Sequence, residues 1–222
     1  MTLCFHGIGE AREDCEPAER PYWIPEAQLS EVLECVYAME ERHQVNIHLD
    51  FDDGFQSDHE HVLPLLKKAS LSAAFFVPTD WIDREGHLSA EQIKDLVEAG
   101  MTIGSHGTDH RAWTELSDDE LSRQLRHSKR VLEQITGAQV KLASAPYGFW
   151  SQRVVAAAID AGFERLHTCD ERPGRQAGFL NHRIVVRKGN DVDAILTRKL
   201  SVLRRAVHKA KDLGERLLVQ AA

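Results

Sequence analysis

A chain of 222 residues with 42% apolar residues, and 27 Lys and Arg against 35 Asp and Glu, has the balance of a soluble globular protein; disordered, collagenous and coiled-coil classes are excluded. No run of about 18 apolar residues occurs, so no segment reads as a membrane-spanning helix. The start, MTLCFHGIGE, lacks the basic stretch and apolar core of a secretory leader, and the chain is expected to be cytoplasmic. Cys4, Cys15, Cys35 and Cys169 lie far apart without a CxxC pair and are expected to be reduced thiols. The net charge of −8 excludes a general nucleic-acid binder, although residues 183–216 gather ten Lys and Arg against four Asp and Glu.

Apolar runs alternate with helical patterns along the chain, which predicts an α/β fold with a mostly parallel sheet or barrel and outer helices. TLCFH is a short strand ending in His6, and a polar loop runs from Gly7 to Arg20, closed by Pro21 to Pro25. Leu29, Val32, Leu33 and Val36 predict a helix over Glu26 to Arg42; NIHLDF is a strand that stops at Gly54. A helix over Asp58 to Ala69 carries Pro64 near its first turns, SAAFFV is a buried strand, and a helix marked by Ile93, Leu96 and Val97 is ended by Gly100. MTIGS leads into His106. Ser117 and Glu120 form a capping box, Leu116 and Leu121 its hydrophobic staple, and Leu121, Leu125, Leu132 and Ile135 the buried stripe of the following helix. VKLAS is a strand, Ser151 caps a helix ended by Gly162, FERLHT and RIVVR are further strands, and a helix over Val192 to Leu213 closes a single domain, 1–222.

Four strand ends carry polar residues, and in parallel folds that is the end where ligands collect. Asp50 and Asp52 share one strand face, while Gly54 permits a turn that brings Asp53 toward Asp52. Two adjacent carboxylates repel unless a cation neutralises one. His106 and His110 lie four apart across a glycine-containing turn, and two imidazoles plus one carboxylate leave open positions on a divalent ion. Ala145, Pro146, Tyr147 and Gly148 form a rigid turn whose amides can face an oxyanion, and His6 titrates in the range useful for protonating a leaving nitrogen. Each feature alone is ordinary: Asp-Asp-Gly and Pro-Tyr-Gly are common turns. Their joint occurrence at strand ends points to a metal-assisted hydrolytic site.

The runs LDFDDGF, GSHGTDH and ASAPYG, in this order and spacing, resemble the polysaccharide deacetylase (NodB homology) domains of carbohydrate esterase family four, over about residues 46–190 and the start of the chain. The resemblance implies a distorted (β/α) barrel that removes acetyl groups from N-acetylated sugars with one divalent metal ion, zinc foremost, with cobalt, nickel or iron as alternatives. It implies Asp52 as general base, Asp53, His106 and His110 as metal ligands, and the Tyr147 amide as an oxyanion donor. Three departures stand out. Gly107 replaces a usual Ser or Thr, Ser144 replaces an arginine that orients the base in many members, and the C-terminal part has no Leu-x-His motif to supply the general acid. A subgroup related to poly-N-acetylglucosamine deacetylases carries that histidine on an N-terminal strand; TLCFHGIG resembles that arrangement and implies His6, with His167 and His182 as rivals.

The expected function is therefore a metal-dependent N-deacetylase acting on an N-acetylated carbohydrate. The alternatives are an amidohydrolase on a non-sugar amide and a catalytically weak carbohydrate-binding module, the latter favoured by the missing arginine. Among Phe55, Trp81, Trp113, Phe149 and Trp150, Trp113 is the first choice to stack on a sugar because it follows His110 closely. Arg198, Lys199, Arg204, Arg205, Lys209 and Lys211 on the last helix read as an ordinary solvated face, with peripheral contact to an anionic surface as the minority reading.

Overall fold

The computed structural model describes residues 1–11, 13, 15–170 and 178–202. Eight strands, β1 (Thr2–Phe5), β2 (His48–Asp52), β3 (Ala74–Val77), β4 (Thr102–Ser105), β5 (Leu142–Ser144), β6 (Arg165–Thr168), β7 (Leu180–His182) and β8 (Ile184–Val185), pair in parallel in the order β7-β6-β5-β4-β3-β2-β1-β8. The two terminal strands of that order are separated only by Arg183. One continuous segment thus pairs with β6 through residues 180–182 and with β1 through residues 184–185, which nearly closes the sheet into a barrel. The sequence reading anticipated RIVVR as a strand, without its pairing, but not β7, whose three residues are too few to leave a pattern.

Five α-helices connect the strands: α1 (Glu26–His43), α2 (Leu63–Ala69), α3 (Ala90–Glu98), α4 (Asp118–Thr136) and α5 (Gln152–Asp160). The predicted capping box opens α4: Ser117 Oγ accepts from the Glu120 amide while the Glu120 carboxylate accepts from the Ser117 amide. Leu116 and Leu121 are both buried beneath it. Ser89 and Gln92 build a second box at α3, and Ser151 caps α5; caps of this kind are each worth about 1 kcal/mol. The stretch before α2 departs from expectation, because residues Asp58–Val62 form a π-helical turn and the α-helix begins only at Leu63, with Pro64 in its first turn.

Alternation along the strands sorts side chains onto two faces. Leu3, Phe5, Leu49, Phe51 and Phe75 lie on one face, all buried, and the Phe5–Phe51 and Phe51–Phe75 rings stack at 5.0 and 5.1 Å. Burying a side chain of this size contributes about 1.5–3 kcal/mol. The opposite face carries Thr2, Cys4, Asp50, Asp52, Ser144, His167 and Asn181, and the Thr2 and Asn181 side chains hydrogen-bond from β1 to β7. The barrel interior is therefore a polar network where such barrels are usually filled by branched aliphatics.

Because every strand runs the same way, His6, Asp53, His106, Tyr147 and Cys169 all leave the sheet at one end. A second compact unit begins at Asn190; within it residues 192–202 are helical, with Val192, Leu196 and Leu200 spaced along one face. The rest of the helix expected to reach Leu213, including Arg204, Arg205, Lys209 and Lys211, lies outside the described residues. Among the described residues no helix is long and apolar enough to cross a membrane.

Candidate active site

Two consecutive left-handed residues make the turn after β2: Asp53 at φ 75° and Gly54 at φ 58°. The reading that assigned this turn to Gly54 alone is extended here, because Asp53 itself takes the strained conformation, as do His110 (φ 60°) and Tyr147 (φ 59°). Left-handed non-glycine residues each cost on the order of 1–3 kcal/mol and persist where a site demands them. All three lie around one centre. One ligand atom from each of Asp53, His106 and His110 falls within 4.8 Å of the others, with Asp53 Oδ1 3.4 Å from His106 Nε2 and 3.2 Å from His110 Nε2.

The chemistry of this group fits a divalent cation. Asp53 Oδ1 is buried and accepts no hydrogen bond from the chain, and an orphaned buried carboxylate oxygen is costly unless a positive charge faces it. The Ser144 carbonyl is 2.8 Å from His106 Nδ1; a carbonyl only accepts, so Nδ1 carries the proton and the Nε2 lone pair turns to Asp53. Burial opposes ionisation of Asp53 most strongly, yet the adjoining His106 and His110 rings outweigh it and hold the carboxyl well below its usual range. Gly107 also finds its reason. At φ 79°, a Cβ there would approach Trp113 Nε1 to 2.9 Å, so the indole occupies the space a larger residue would need. Trp113 is 0% exposed, which removes it as a sugar-stacking platform.

Asp52 is tied differently. Arg183, wholly buried, donates through Nη1 to Asp52 Oδ1 at 2.7 Å and through Nη2 to Oδ2 at 2.6 Å. The same guanidinium reaches Asp50 (3.3 Å), Ser144 Oγ (2.8 Å) and the Cys169 sulfur (3.2 Å). Burial is the largest influence on Asp52 and raises its pKa, but the Arg183 charge, with His106, reverses the balance and keeps the carboxylate ionised well below the normal range. The expected cation for the carboxylate pair is thus partly internal. The arginine missing at Ser144 arrives from the β7–β8 junction, and its end meets the Ser144 hydroxyl. Sequence reading missed Arg183 because it heads an apolar strand 39 residues from Ser144, and nothing local distinguishes it from a surface charge.

His6 stands level with Asp52, following from the pairing of Phe5 with Phe51; one of its ring nitrogens lies within 4.8 Å of a carboxylate oxygen of Asp52. Its Nδ1 is buried without a hydrogen-bond partner, and burial, only partly offset by Asp53 and Asp52, lowers its pKa. The rivals are engaged elsewhere: His167 Nδ1 is 2.6 Å from Asp50, and His182 Nδ1 is 2.5 Å from Asp170. Tyr147 sits in a one-turn 3-10 segment whose backbone bonds run from Gly148 to Ala145 and from Phe149 to Pro146, and its ring meets His110 at 4.7 Å. Sequence distance also concealed two thiols beside the network, Cys4 Sγ donating to Asp52 at 3.6 Å and Cys169 Sγ accepting from Arg183 at 3.2 Å; the neighbouring Cys4, then the Arg183 charge, lower Cys169, while burial raises Cys4. Cys4 is buried, and Cys15, Cys35 and Cys169 are half-buried.

Asp58, in the π-helical turn, is 0% exposed and neither carboxyl oxygen has a partner. Burial first, then the charges of Asp53 and Asp52, raise its pKa well above the usual value. A raised acid binds its proton more tightly folded than unfolded, so stability falls as pH rises above the unfolded value of about 3.9. Asp58→Asn is therefore expected to increase stability at pH 7 by about 1–3 kcal/mol and to change it little at pH 4. Denaturant titrations at the two pH values measure this, and equal effects at both would contradict it.

The chain belongs to the polysaccharide deacetylase family, whose model matches residues 40–166. YxkH of Bacillus subtilis (strain 168) is 28% identical over 145 residues, covering 64% of this chain and 51% of that protein. The chitooligosaccharide deacetylase of Sinorhizobium fredii is 27% identical over 137 residues, covering 60% of this chain and 62% of the relative. The chain spans about half the length of curated relatives such as YxkH and the peptidoglycan-N-acetylmuramic acid deacetylase PdaA. Among solved structures, BC0361, a polysaccharide deacetylase from Bacillus cereus, superposes with a TM-score of 0.76 at 20% identity over 89% of this chain and 68% of that one, a likeness of fold.

Proposed function

We propose that this chain is a metal-dependent N-deacetylase that hydrolyses the acetamide of an N-acetylated carbohydrate to acetate and the free amine. The observation that carries the reading is the convergence of Asp53, His106 and His110, with Asp53 Oδ1 buried and unpartnered, beside an Asp52 carboxylate held by Arg183. Family membership supports it. A divalent ion held by Asp53, His106 and His110 supplies Lewis-acid polarisation of the acyl carbonyl and lowers the pKa of a water. Two histidines and one aspartate suit zinc, cobalt, nickel or iron, with zinc first.

The remaining work belongs to the chain. Asp52, kept ionised and oriented by the Arg183 fork, accepts a proton from the attacking water as the new C–O bond forms. The Tyr147 amide donates to the oxyanion that develops on the carbonyl oxygen. His6, entering as imidazolium, donates its proton to the nitrogen as the C–N bond breaks, and the proton that Asp52 took from water returns to the neighbouring His6 as acetate and amine depart. Arg183 supports this reading over a weak binding module, since a guanidinium from the β7–β8 junction holds Asp52 where the usual arginine is missing.

Asp52→Asn is expected to retain metal, measured by elemental analysis, and to lose about 10² or more in acetate release from chitooligosaccharides. Turnover near wild type would take Asp52 out of the role. His6→Ala is expected to lose about 10²-fold on the acetamide and much less on 4-nitrophenyl acetate, whose leaving group departs without a proton. Equal losses on both substrates would remove His6 as the acid.

A further inference from the structure

A cleft of about 530 Å³ opens beside the triad and is lined by His110, Tyr147, Phe149, Trp81, Glu19 and Glu115. It is tied to the reaction centre by His110, whose Nε2 faces the buried, unpartnered oxygen of Asp53. The aromatic side chains form a continuous wall: Trp81 and Tyr147 lie 5.2 and 4.7 Å from the His110 ring, and Phe149 lies 6.0 Å from Tyr147. Tyr147 and Phe149 are 60% and 56% exposed, unusual for rings beside a reaction centre and suited to covering the face of a pyranose.

Among the described residues the charges of the cleft are not balanced. Arg111 and Asp109 also line it, but they pair with each other at 3.0 Å, and Gln124 and Glu120 complete that network. Glu19 and Glu115 have no ion-pair partner among the described residues. Both line the cleft together with Tyr147. What remains is an aromatic wall flanked by two carboxylates that have no ion-pair partner among the described residues, an environment that attracts an ammonium group through both the ring faces and the acids. A neutral acetamide gains nothing from the acids, and the lactyl carboxylate of a muramic acid is repelled by them.

We propose that this cleft binds a cationic amino sugar, a glucosamine residue with a free ammonium, next to the N-acetylated residue being hydrolysed. The substrate class is then a partially deacetylated N-acetylglucosamine oligomer, and the inference rests on the deacetylase reading above. Each turnover converts a neutral acetamide into an ammonium, so one cycle makes the chain a better ligand for the next.

The test compares kcat/KM for two tetramers, one fully N-acetylated and one with a single free amine, with a tetramer containing muramic acid as the anionic control. The zinc-loaded protein is expected to prefer the cationic tetramer by about tenfold in low salt, with the preference shrinking in 0.5 M NaCl as screening acts. In Glu19→Gln/Glu115→Gln the ratio is expected to fall to near one. Turnover with no preference in the wild type, a ratio unchanged in the double variant, or preference for the anionic tetramer would each overturn the proposal and leave the deacetylase reading standing. Absence of turnover on all three substrates would instead sink that reading. Calorimetry with the fully deacetylated tetramer tests the cleft in either case: binding is expected to weaken at least fivefold in the double variant, and equal binding would overturn the proposal.

Discussion

Arg183→Ala is expected to lower stability by about 3–5 kcal/mol, because it leaves Asp52 and Asp50 buried beside one another with no guanidinium between them. For a chain of this size that corresponds to a fall in Tm of roughly 6–20 °C. The loss should depend on pH with a definite sign. The folded pKa of Asp52 lies below its unfolded value, so the pair's contribution is fully present above about pH 4 and fades as acid protonates the carboxylate. The stability gap between wild type and Arg183→Ala should therefore be widest near neutrality and narrow toward pH 3. Adding Asp52→Asn to the alanine variant removes one of the stranded charges and should recover part of the loss. Arg183→Lys offers one point donor in place of a planar fork and should fall between the two. Thermal and urea unfolding across that pH range measure all of these. A loss below about 1 kcal/mol for Arg183→Ala at pH 7 would show that Asp52 is held by something else.

The second large effect concerns cation binding. Zinc at 100 to 1,000 times its dissociation constant should stabilise the wild-type chain by about 2.7–4.1 kcal/mol, a rise in Tm of roughly 5–16 °C, reversed by a chelator. The same addition to Asp53→Asn or His110→Ala should produce little shift, since each removes a ligand from a group whose atoms already lie within bonding range of one ion. Asp52→Asn should keep the shift, because Asp52 lies beside the triad, Oδ2 being 3.9 Å from His106 Nε2, with both its oxygens held by Arg183 and no place in the three-residue ligand group. This pattern separates binding from catalysis without any activity measurement. Equal stabilisation of wild type and Asp53→Asn would remove Asp53 as a ligand.

Much of this protein could be read from local pattern. The helix begun by Ser117 and Glu120, the β2 run ending in Asp52 and Asp53, and the His106–His110 pair all depend on residues within about one turn of each other, and short-range sterics and hydrogen bonding settle such features before any tertiary contact forms. The parallel sheet was likewise legible, since buried strands alternating with amphipathic helices leave few other ways to cover both sheet faces.

Trp113 shows where pattern fails: three residues past His110 it promised a stacking surface, but it is wholly buried, its indole filling the space beside Gly107. Arg183 shows the same limit in the other direction. Its sequence neighbours describe an ordinary strand, and only closure of the barrel through residues 180–185 carries the guanidinium to Asp52, more than 130 positions earlier. The order of chemistry-bearing residues along the chain was set by sequence alone. Which charge neutralises which was decided only by the fold, because in a closed barrel a strand from the far end of the chain becomes the neighbour of the first, and buried charges answer to whatever lies within a few ångströms.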